Sequence, residues 1–397
     1  KYLNYVIIYQ HSWPCLIYVS MNKIFVLGAG QMQVPIIKKV KERGDYCIVA
    51  DFDKYAPGMK YADVALSVST NDRDAVLVAA REYAVNGILT TSDYPVNVVA
   101  FVARKLSLPA MSVEVAKICT DKYLQRQLFS ENRINCPFYK LIAGGEDLVA
   151  LDDFPYIIKP IDSSASRGVK KVNNRDELMD YFPVACSFSK SGKVIVEKFV
   201  EGREFSVETL SQDGRTFIIA ITEKITKGEE QGFFVEDAHL IPANLSVAEK
   251  CLIETEVLKA ISVIGVNNCP THTEVKLNAD GAWIIEIACR LGGDNITSDL
   301  VPLATGVDML ENLIRLSIGE PVDIHQTIHH YAAIQFFNQE NYDRCVDFLG
   351  HEDKRIVRKE IGAKHNRVIA SSMDRMGYCI MQARTREEIY DILSELN

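Results

Sequence analysis

From Lys23 onward the chain alternates short apolar runs with amphipathic stretches. KIFVLGAG leads into a helical pattern through Glu42, and CIVADFD follows; a helix near 72–84, a strand at GILTT and a helix near 95–105 complete the series. Strands alternating with helices predict a parallel α/β sheet, here ending near residue 115. The middle, 116–325, mixes hairpin patterns with helices and reads as α+β. Residues 326–397 return to short strands closed by the helical pattern TREEIYDILSEL. The organisation expected is therefore a segment 1–20, an α/β domain 21–115, a central α+β domain 116–325 and a small α+β domain 326–397. No internal repeat or low-complexity linker separates them.

Residues 1–20 are apolar, interrupted by Pro14, and have no basic stretch ahead of an unbroken apolar run. That pattern fits neither a signal peptide nor a membrane span. It reads as a leader or upstream-derived segment, with an extra edge strand as the alternative.

Composition narrows the picture. At 397 residues, about half of them hydrophobic, the chain can build two to four units with a sizeable core. A net charge of -9 argues against a general nucleic-acid binder but leaves room for a local basic pocket that takes a nucleotide. The ten cysteines are scattered without a C-x-x-C pair, which suits reduced thiols in a cytoplasmic protein. The eight histidines show no H-E-x-x-H spacing, and the adjacent His329 and His330 read as solvated loop residues.

The turn GAGQMQ after the first strand resembles a dinucleotide fingerprint, with Asp51 suitably placed after the second. Gln33 stands where the third glycine belongs, so sheet-to-helix turn geometry suffices to explain Gly28 and Gly30.

The most informative stretch is THTEVKLNADGAWIIEIACRLGGD, 271–294. Two alternating runs flank Asn278-Ala279-Asp280-Gly281, a hairpin signal. With a three-residue loop, Asn278 pairs with Ala282, and counting outward sets Glu274 opposite Glu286. Val275, Ile285 and Ile287 then fall on the core face. Facing carboxylates repel, so they need a reason, and hard oxygen ligands converging on Mg2+ supply one. A solvated strand face, or a register displaced from this count, meets the same pattern. Arg290 falls on the carboxylate face if the strand continues that far, where it could bind phosphate oxygens or simply pair with a glutamate. Gly292 and Gly293 allow a ligand to approach the backbone.

Two lysines upstream gain interest from their settings. Lys122 opens a helix after Thr120-Asp121, and Lys159 ends the apolar strand YIIK before a small-residue loop, Asp162 to Gly168. Such a loop can offer backbone N–H groups to phosphates, or be an ordinary surface turn. VIVEKFVEGREFSVETL, 194–210, reads as strand, charged turn and strand, with hairpin-surface charge as the default.

Taken in order, T-D-K, I-I-K-P with S-x-S-R-G-V, E-K-F-V-E-G-x-E-F-S-V-E, T-E-V-K-L and E-I-A-C-R-L-G-G-D resemble the ATP-grasp superfamily over nearly the whole chain from Met21. The resemblance implies a Rossmann-like pre-ATP-grasp domain, a two-part ATP-grasp domain and a small C-terminal domain. It implies ATP with Mg2+ (or Mn2+) as cofactors. Lys122 and Lys159 would contact the ATP phosphates, and Ser164, Ser166 and Gly168 would lie in the loop closing over them. Glu197 would begin the adenine segment, with the Lys198 carbonyl and the Val200 N–H reading the base edge and Glu204 holding the ribose. Glu274 and Glu286 match the metal ligands, and Arg290 matches the arginine that holds the transferred phosphate and the acyl-phosphate. The acid and amine would sit near Arg290, Gly292, Gly293, Asp294, His239 and His272.

Two departures stand out. Ala288 occupies a position where many relatives carry a metal-binding Asn, and His272, opposite it in the count above, is the candidate replacement. Ser163-Ser164-Ala165 replaces glycines in the phosphate loop. The stretch from Glu286 to Leu310 looks most similar to the carboxylate–amine ligase branch, which implies small-molecule acid and amine substrates, no nucleic-acid or membrane partner, and is compatible with a homodimer. The other readings are a carboxylase resembling purine-biosynthetic members and, from another class, a nucleotide-binding sensor without turnover.

Overall fold

In the computed structural model, every residue is described except 1–4, 11–12, 19–20, 143, 145–146, 149–150, 165, 228–234 and 367–373. Residues 1–113 with 310–321 pack as one compact unit, and 114–309 with 322–397 as another. Among the described residues no helix is long and apolar enough to cross a membrane.

In the first unit, strands β1 (Tyr5–Gln10) and β2 (Trp13–Tyr18) pair with each other as a two-stranded antiparallel ribbon. The apolar runs that follow become β3 (Lys23–Leu27), β4 (Tyr46–Asp51), β5 (Val64–Ser67) and β6 (Gly87–Leu89), all parallel, in the order β5-β4-β3-β6. Ile24, Phe25, Val26 and Leu27 are all fully buried, the unbroken burial of a strand covered on both faces. Of the helices that alternate with these strands, α1 (Val34–Glu42) packs against β4, α3 (Val96–Leu106) against β6, and α2 (Arg73–Glu82) against α3. Strand β5 escapes the sequence pattern because its four residues are never fully buried. The later helix Met309–Ile318 packs here too: Arg43 pairs with Glu311 and, at 3.1 Å, with Glu320.

The turn after β3 is filled from within. Asp51 spends its carboxylate on the N–H groups of Ala29 (2.8 Å) and Asp53 (3.0 Å). A Cβ on Gly28 or Gly30 would meet the Gln33 side chain at 3.3 and 3.0 Å. The glycines make room for Gln33, as a sheet-to-helix turn requires.

The second unit opens with α4 (Val113–Cys119) and α5 (Lys122–Glu131). Strands β7 (Tyr139–Ile142), β8 (Tyr156–Pro160), β9 (Lys170–Val172) and β10 (Val194–Lys198) form an antiparallel sheet in the order β7-β10-β8-β9. Helix α6 (Arg175–Ser187) lies on it around Ile158, Val172, Leu178 and Val196. The second sheet holds β11 (Arg203–Gln212), β12 (Arg215–Lys227), β13 (Val235–Ile241), β14 (Cys269–Asn278), β15 (Gly281–Ala288), β16 (Tyr331–Phe336), β17 (Ile356–Ile361) and β18 (Gly377–Ala383). Their order is β15-β14-β11-β12-β13-β16-β18-β17. Helix α7 (Val247–Ile264), closed at its start by a Ser246–Glu249 capping box, packs against β14 and β15. The closing helix, Arg386–Leu396, carries the same device at Thr385–Glu388.

Two sequence readings need correction here. The segment 194–210 is not a hairpin: β10 and β11 belong to different sheets, joined by a crossing at 199–202. Gly202, at φ +144°, lets the backbone run so close to Leu277 that a Cβ would collide with its carbonyl. The β14–β15 turn also differs: Asn278 pairs with Gly281, leaving two loop residues, and a bulge between Glu274 and Val275 absorbs one residue further on. The two deviations cancel, so Glu274 still faces Glu286 and His272 still faces Ala288. The bulge puts Ile284, not Ile285, into the core: Ile284 is fully buried and Ile285 half-buried.

Candidate active site

Strand alternation builds the site. On β11, Phe205 and Val207 are fully buried, while Glu204, Ser206 and Glu208 project from the opposite face. Each heads a cross-strand row: Lys224–Glu204–Lys276, then Thr222–Ser206–Glu274–Glu286, then Ala220–Glu208–His272–Ala288. One sheet face thus gathers four carboxylates, two lysines and a histidine.

Their charges compensate locally. Lys224 Nζ lies 2.8 Å from Glu204, 3.0 Å from Glu274 and 3.3 Å from Glu236. Lys276 reaches the other Glu204 oxygen at 3.2 Å. Burial alone would lower the Lys224 pKa, but the three glutamates raise it well above its ordinary value. Burial would raise Glu274; Lys224, followed by His272, instead holds it at about 2. Glu204 is likewise held low, by Lys224 and Lys276 against the effect of burial.

Glu286 leans on Lys122, whose Nζ lies 3.0 Å away and also donates to the Ser163 carbonyl at 2.7 Å. Lys122 is placed by Asp121, which caps α5 by accepting from the N–H groups of Tyr123 and Leu124. Helix α5 also covers the exposed edge of β15. Gln125 exchanges two 3.0 Å hydrogen bonds with the Ile287 backbone, Arg126 donates to the carbonyl of the bulged Ile285, and Asn135 accepts from Ile284 N–H at 2.8 Å. These bonds occupy edge groups that would otherwise be open to another strand.

A second cluster lies where α5 meets the four-stranded sheet. Glu197 sits 2.8 Å from both Lys159 Nζ and Arg126 Nε, and all three are at least 95% buried. Burial lowers the Lys159 pKa, whereas Arg126 and Lys159 hold Glu197 low against its own burial. Lys198 anchors its ammonium on the Asp153 carboxylate at 2.9 Å, its N–H donates to Phe138 O, and Val200 follows just beyond the strand. The loop from β8 to β9 carries Ser164, Ser166 and Gly168; Ser166 and Gly168 adopt positive φ, and Ser164 O accepts from the Arg167 side chain at 3.1 Å. Ala165 lies outside the described residues.

The C-terminal side of β15 forms the third part. The strand ends at Ala288, so alternation does not extend to Arg290, which occupies a bend and donates to Leu291 O at 2.9 Å. Gly292 lies against the pair made by His272 Nδ1 and Glu208 Oε1, 2.6 Å apart; a Cβ there would meet those atoms at 2.7 and 2.9 Å. A Cβ on Gly293 would meet nothing. Asp294 and Asn295 both take left-handed backbone (φ 50° and 61°), a strained pair for non-glycine residues. Asp294 pairs with Arg375 at 2.8 Å and lies 4.0 Å from the buried His239. Burial pushes Asp294 up, but His239 and Arg375 hold it well below the usual carboxylate range. Arg375 also grips Glu236 at 2.8 Å and stacks on Phe336.

Glu274 and Glu286 fit a hard divalent ion, since Mg2+ takes one or two carboxylates and completes its shell with phosphate oxygens and water. Both are held on lysines, and among the described residues no three His, Cys, Asp or Glu side chains converge as a ready cage.

Arg126, Glu208, Lys224, Glu236 and Arg375 are absent from the sequence-derived set. Period-two spacing from Glu204 points to Glu208; nothing local points to the others.

Comparison with known proteins identifies the fold. Residues 152–299 match the model of the ATP-grasp domain. The alanine–anticapsin ligase of Bacillus subtilis is 27% identical over 278 residues, covering 63% of this chain and 58% of that protein. The chain thus spans less than two thirds of that relative. The L-amino acid ligase of Bacillus licheniformis superposes with a TM-score of 0.78 at 21% identity, covering 95% of this chain and 98% of that one. An ADP complex of N5-carboxyaminoimidazole ribonucleotide synthetase gives 0.76 at 16% identity, covering 96% and 97%.

Proposed function

Residues 152–299 match an ATP-grasp domain in a chain of that fold, and on that premise we propose that the protein is an ADP-forming carboxylate–amine ligase. A substrate carboxylate oxygen takes the γ-phosphoryl group of ATP and ADP leaves. The amine nitrogen then attacks the acyl carbon, the C–O bond to phosphate breaks, and an amide forms as the amine loses a proton. Such phosphoryl transfer depends on positioning and charge neutralisation, which lysines, arginine and a carboxylate-held metal provide.

The observation carrying this reading is the facing pair Glu274–Glu286 on a sheet face lined with buried cations. Buried charges at this density cost stability, so their gathering in one place favours a site over a structural accident. In this reading Glu274 and Glu286 hold Mg2+ or Mn2+, which supplies neutralisation of phosphate charge when bound. Lys122 and Lys159, with Ser164, Ser166 and Gly168 in the loop, bind the ATP phosphates. Glu197, Lys198 and Val200 line the adenine, Glu204 takes the ribose, and Arg290 steadies the transferred phosphoryl group. His239, Gly292, Gly293 and Asp294 border the acid and amine. The similarity to alanine–anticapsin ligase and L-amino acid ligase supports amino acids as the class to try first.

Pairwise screening of amino acids tests this directly: ADP and phosphate release should require both an acid and an amine. The fold-level similarity to N5-carboxyaminoimidazole ribonucleotide synthetase keeps a carboxylase as second reading. Turnover that needs bicarbonate, and no second amino acid, selects it instead.

A further inference from the structure

His272 carries more structure than a space-filling residue opposite Ala288 requires. Its ring is 8% exposed, and Nδ1 lies 2.6 Å from Oε1 of Glu208, whose side chain is wholly buried. An ionised carboxylate only accepts, so Nδ1 carries the proton of that bond. In the neutral ring Nε2 is then left with its lone pair. Nε2 points toward Glu274, 4.0 Å from its Oε1. Among the described residues the second oxygen of Glu208 has no hydrogen-bond partner, so the carboxylate is committed to the histidine on one side only. Ala288 offers no donor in the same row, and Gly292 leaves no Cβ to displace the His272–Glu208 pair.

We propose that His272 is a third protein ligand of the divalent ion, joining Glu274 and Glu286, with Glu208 as the residue that fixes its tautomer and orientation. The inference rests on the metal reading of the facing glutamates given above. A carboxylate or carbonyl behind a ligating imidazole is the usual supporting arrangement, and it fixes which nitrogen is free for the metal. In the ion-paired arrangement Glu274 rests on Lys224 and Glu286 on Lys122, so the three donors come together only when the carboxylates leave their lysines. ATP phosphates would give those lysines new partners, which couples metal binding to nucleotide binding. Exchanging an oxygen donor for imidazole also shifts preference away from Mg2+ toward Mn2+ and later first-row ions.

The test is electron spin-echo spectroscopy of the full chain loaded with MnCl2 and ADP, comparing unlabelled protein with protein carrying 15N-histidine. Ligation by His272 predicts nitrogen modulation that changes with the label and disappears in His272→Gln, with Mn2+ affinity falling about tenfold or more. His272→Asn serves where the glutamine variant does not fold. Bound Mn2+ without histidine modulation overturns the inference while leaving the metal reading intact, and so does modulation that survives in both variants. Mn2+ that does not bind the wild-type chain at all removes both.

Discussion

Lys224 holds Glu274 at 3.0 Å, and the same ammonium reaches Glu204 and Glu236, so one buried cation serves carboxylates from three strands. Removing it takes a partner from all three, and while Glu204 keeps Lys276 and Glu236 keeps Arg375, Glu274 loses its lysine. Lys224→Met should cost about 3–5 kcal/mol near pH 7, the usual penalty for breaking a buried ion pair from one side. Without the lysine, burial lifts the Glu274 pKa of the folded state above its unfolded value. A raised folded pKa contributes stability below the unfolded pKa and loses it as pH rises, so the deficit should shrink toward about pH 5. Urea unfolding at both pH values measures this, and a deficit independent of pH counts against the clustering.

Glu286 pairs with Lys122 at 3.0 Å, and its side chain is 27% exposed. Its ion pair should therefore add little stability, no more than about 1 kcal/mol. Glu286→Gln should leave the unfolding midpoint nearly unchanged while lowering acid- and amine-dependent ADP release by about a hundredfold or more, as loss of a metal-binding charge does. Turnover at the wild-type rate removes Glu286 from the metal site.

What the sequence reveals about this site divides along physical lines. Residues on one strand announce each other through the two-residue period, so His272, Glu274 and the facing Glu286 could be placed by counting. The count reached the observed pairing even though the turn is one residue shorter than expected, because the bulge repairs the register. The same bulge misassigned Ile285, whose carbonyl turns toward Arg126. Partners brought in by tertiary packing leave no such trace: Arg126 comes from a helix, Lys224 from β12, and Arg375 from the segment before β18. Strand continuity failed as a guide at Arg290, where the chain bends after Ala288. The 194–210 segment misled for a related reason, since two strands separated by a charged turn look alike whether they share a sheet or leave one for another.

Gly292 and Gly293 are adjacent and chemically identical, yet their surroundings predict opposite responses. A Cβ on Gly292 would press His272 Nδ1 at 2.7 Å and both Glu208 oxygens at 2.9 Å. Overpacking of this kind costs about 1–3 kcal/mol, so Gly292→Ala should lower the melting temperature and disturb the His272–Glu208 bond. Gly293→Ala meets open space and should be nearly neutral for stability. Equal melting shifts for the two variants would show that the close approach at Gly292 is not maintained in solution.

Asp162 fixes the base of the loop that carries Ser164, Ser166 and Gly168. Its Oδ1 accepts from Ser189 Oγ (2.9 Å) and Lys190 N–H (3.1 Å), and its Oδ2 from Ser191 N–H (2.9 Å). Burial raises the Asp162 pKa, but these bonds, led by Ser189, outweigh it and hold the group below the usual 3.8. A depressed folded pKa gives stability that is complete above the unfolded value and lost as pH falls through the folded one. Asp162→Asn turns an amide donor toward the Ser191 N–H or leaves it unpaired, a loss of about 1–2 kcal/mol. The difference between wild type and variant should therefore be full at about pH 6 and fade below about pH 4. Thermal unfolding, with hydrogen exchange at the Ser191 amide, measures both; a difference that persists unchanged at about pH 3 means the ionised carboxylate is not what anchors the loop.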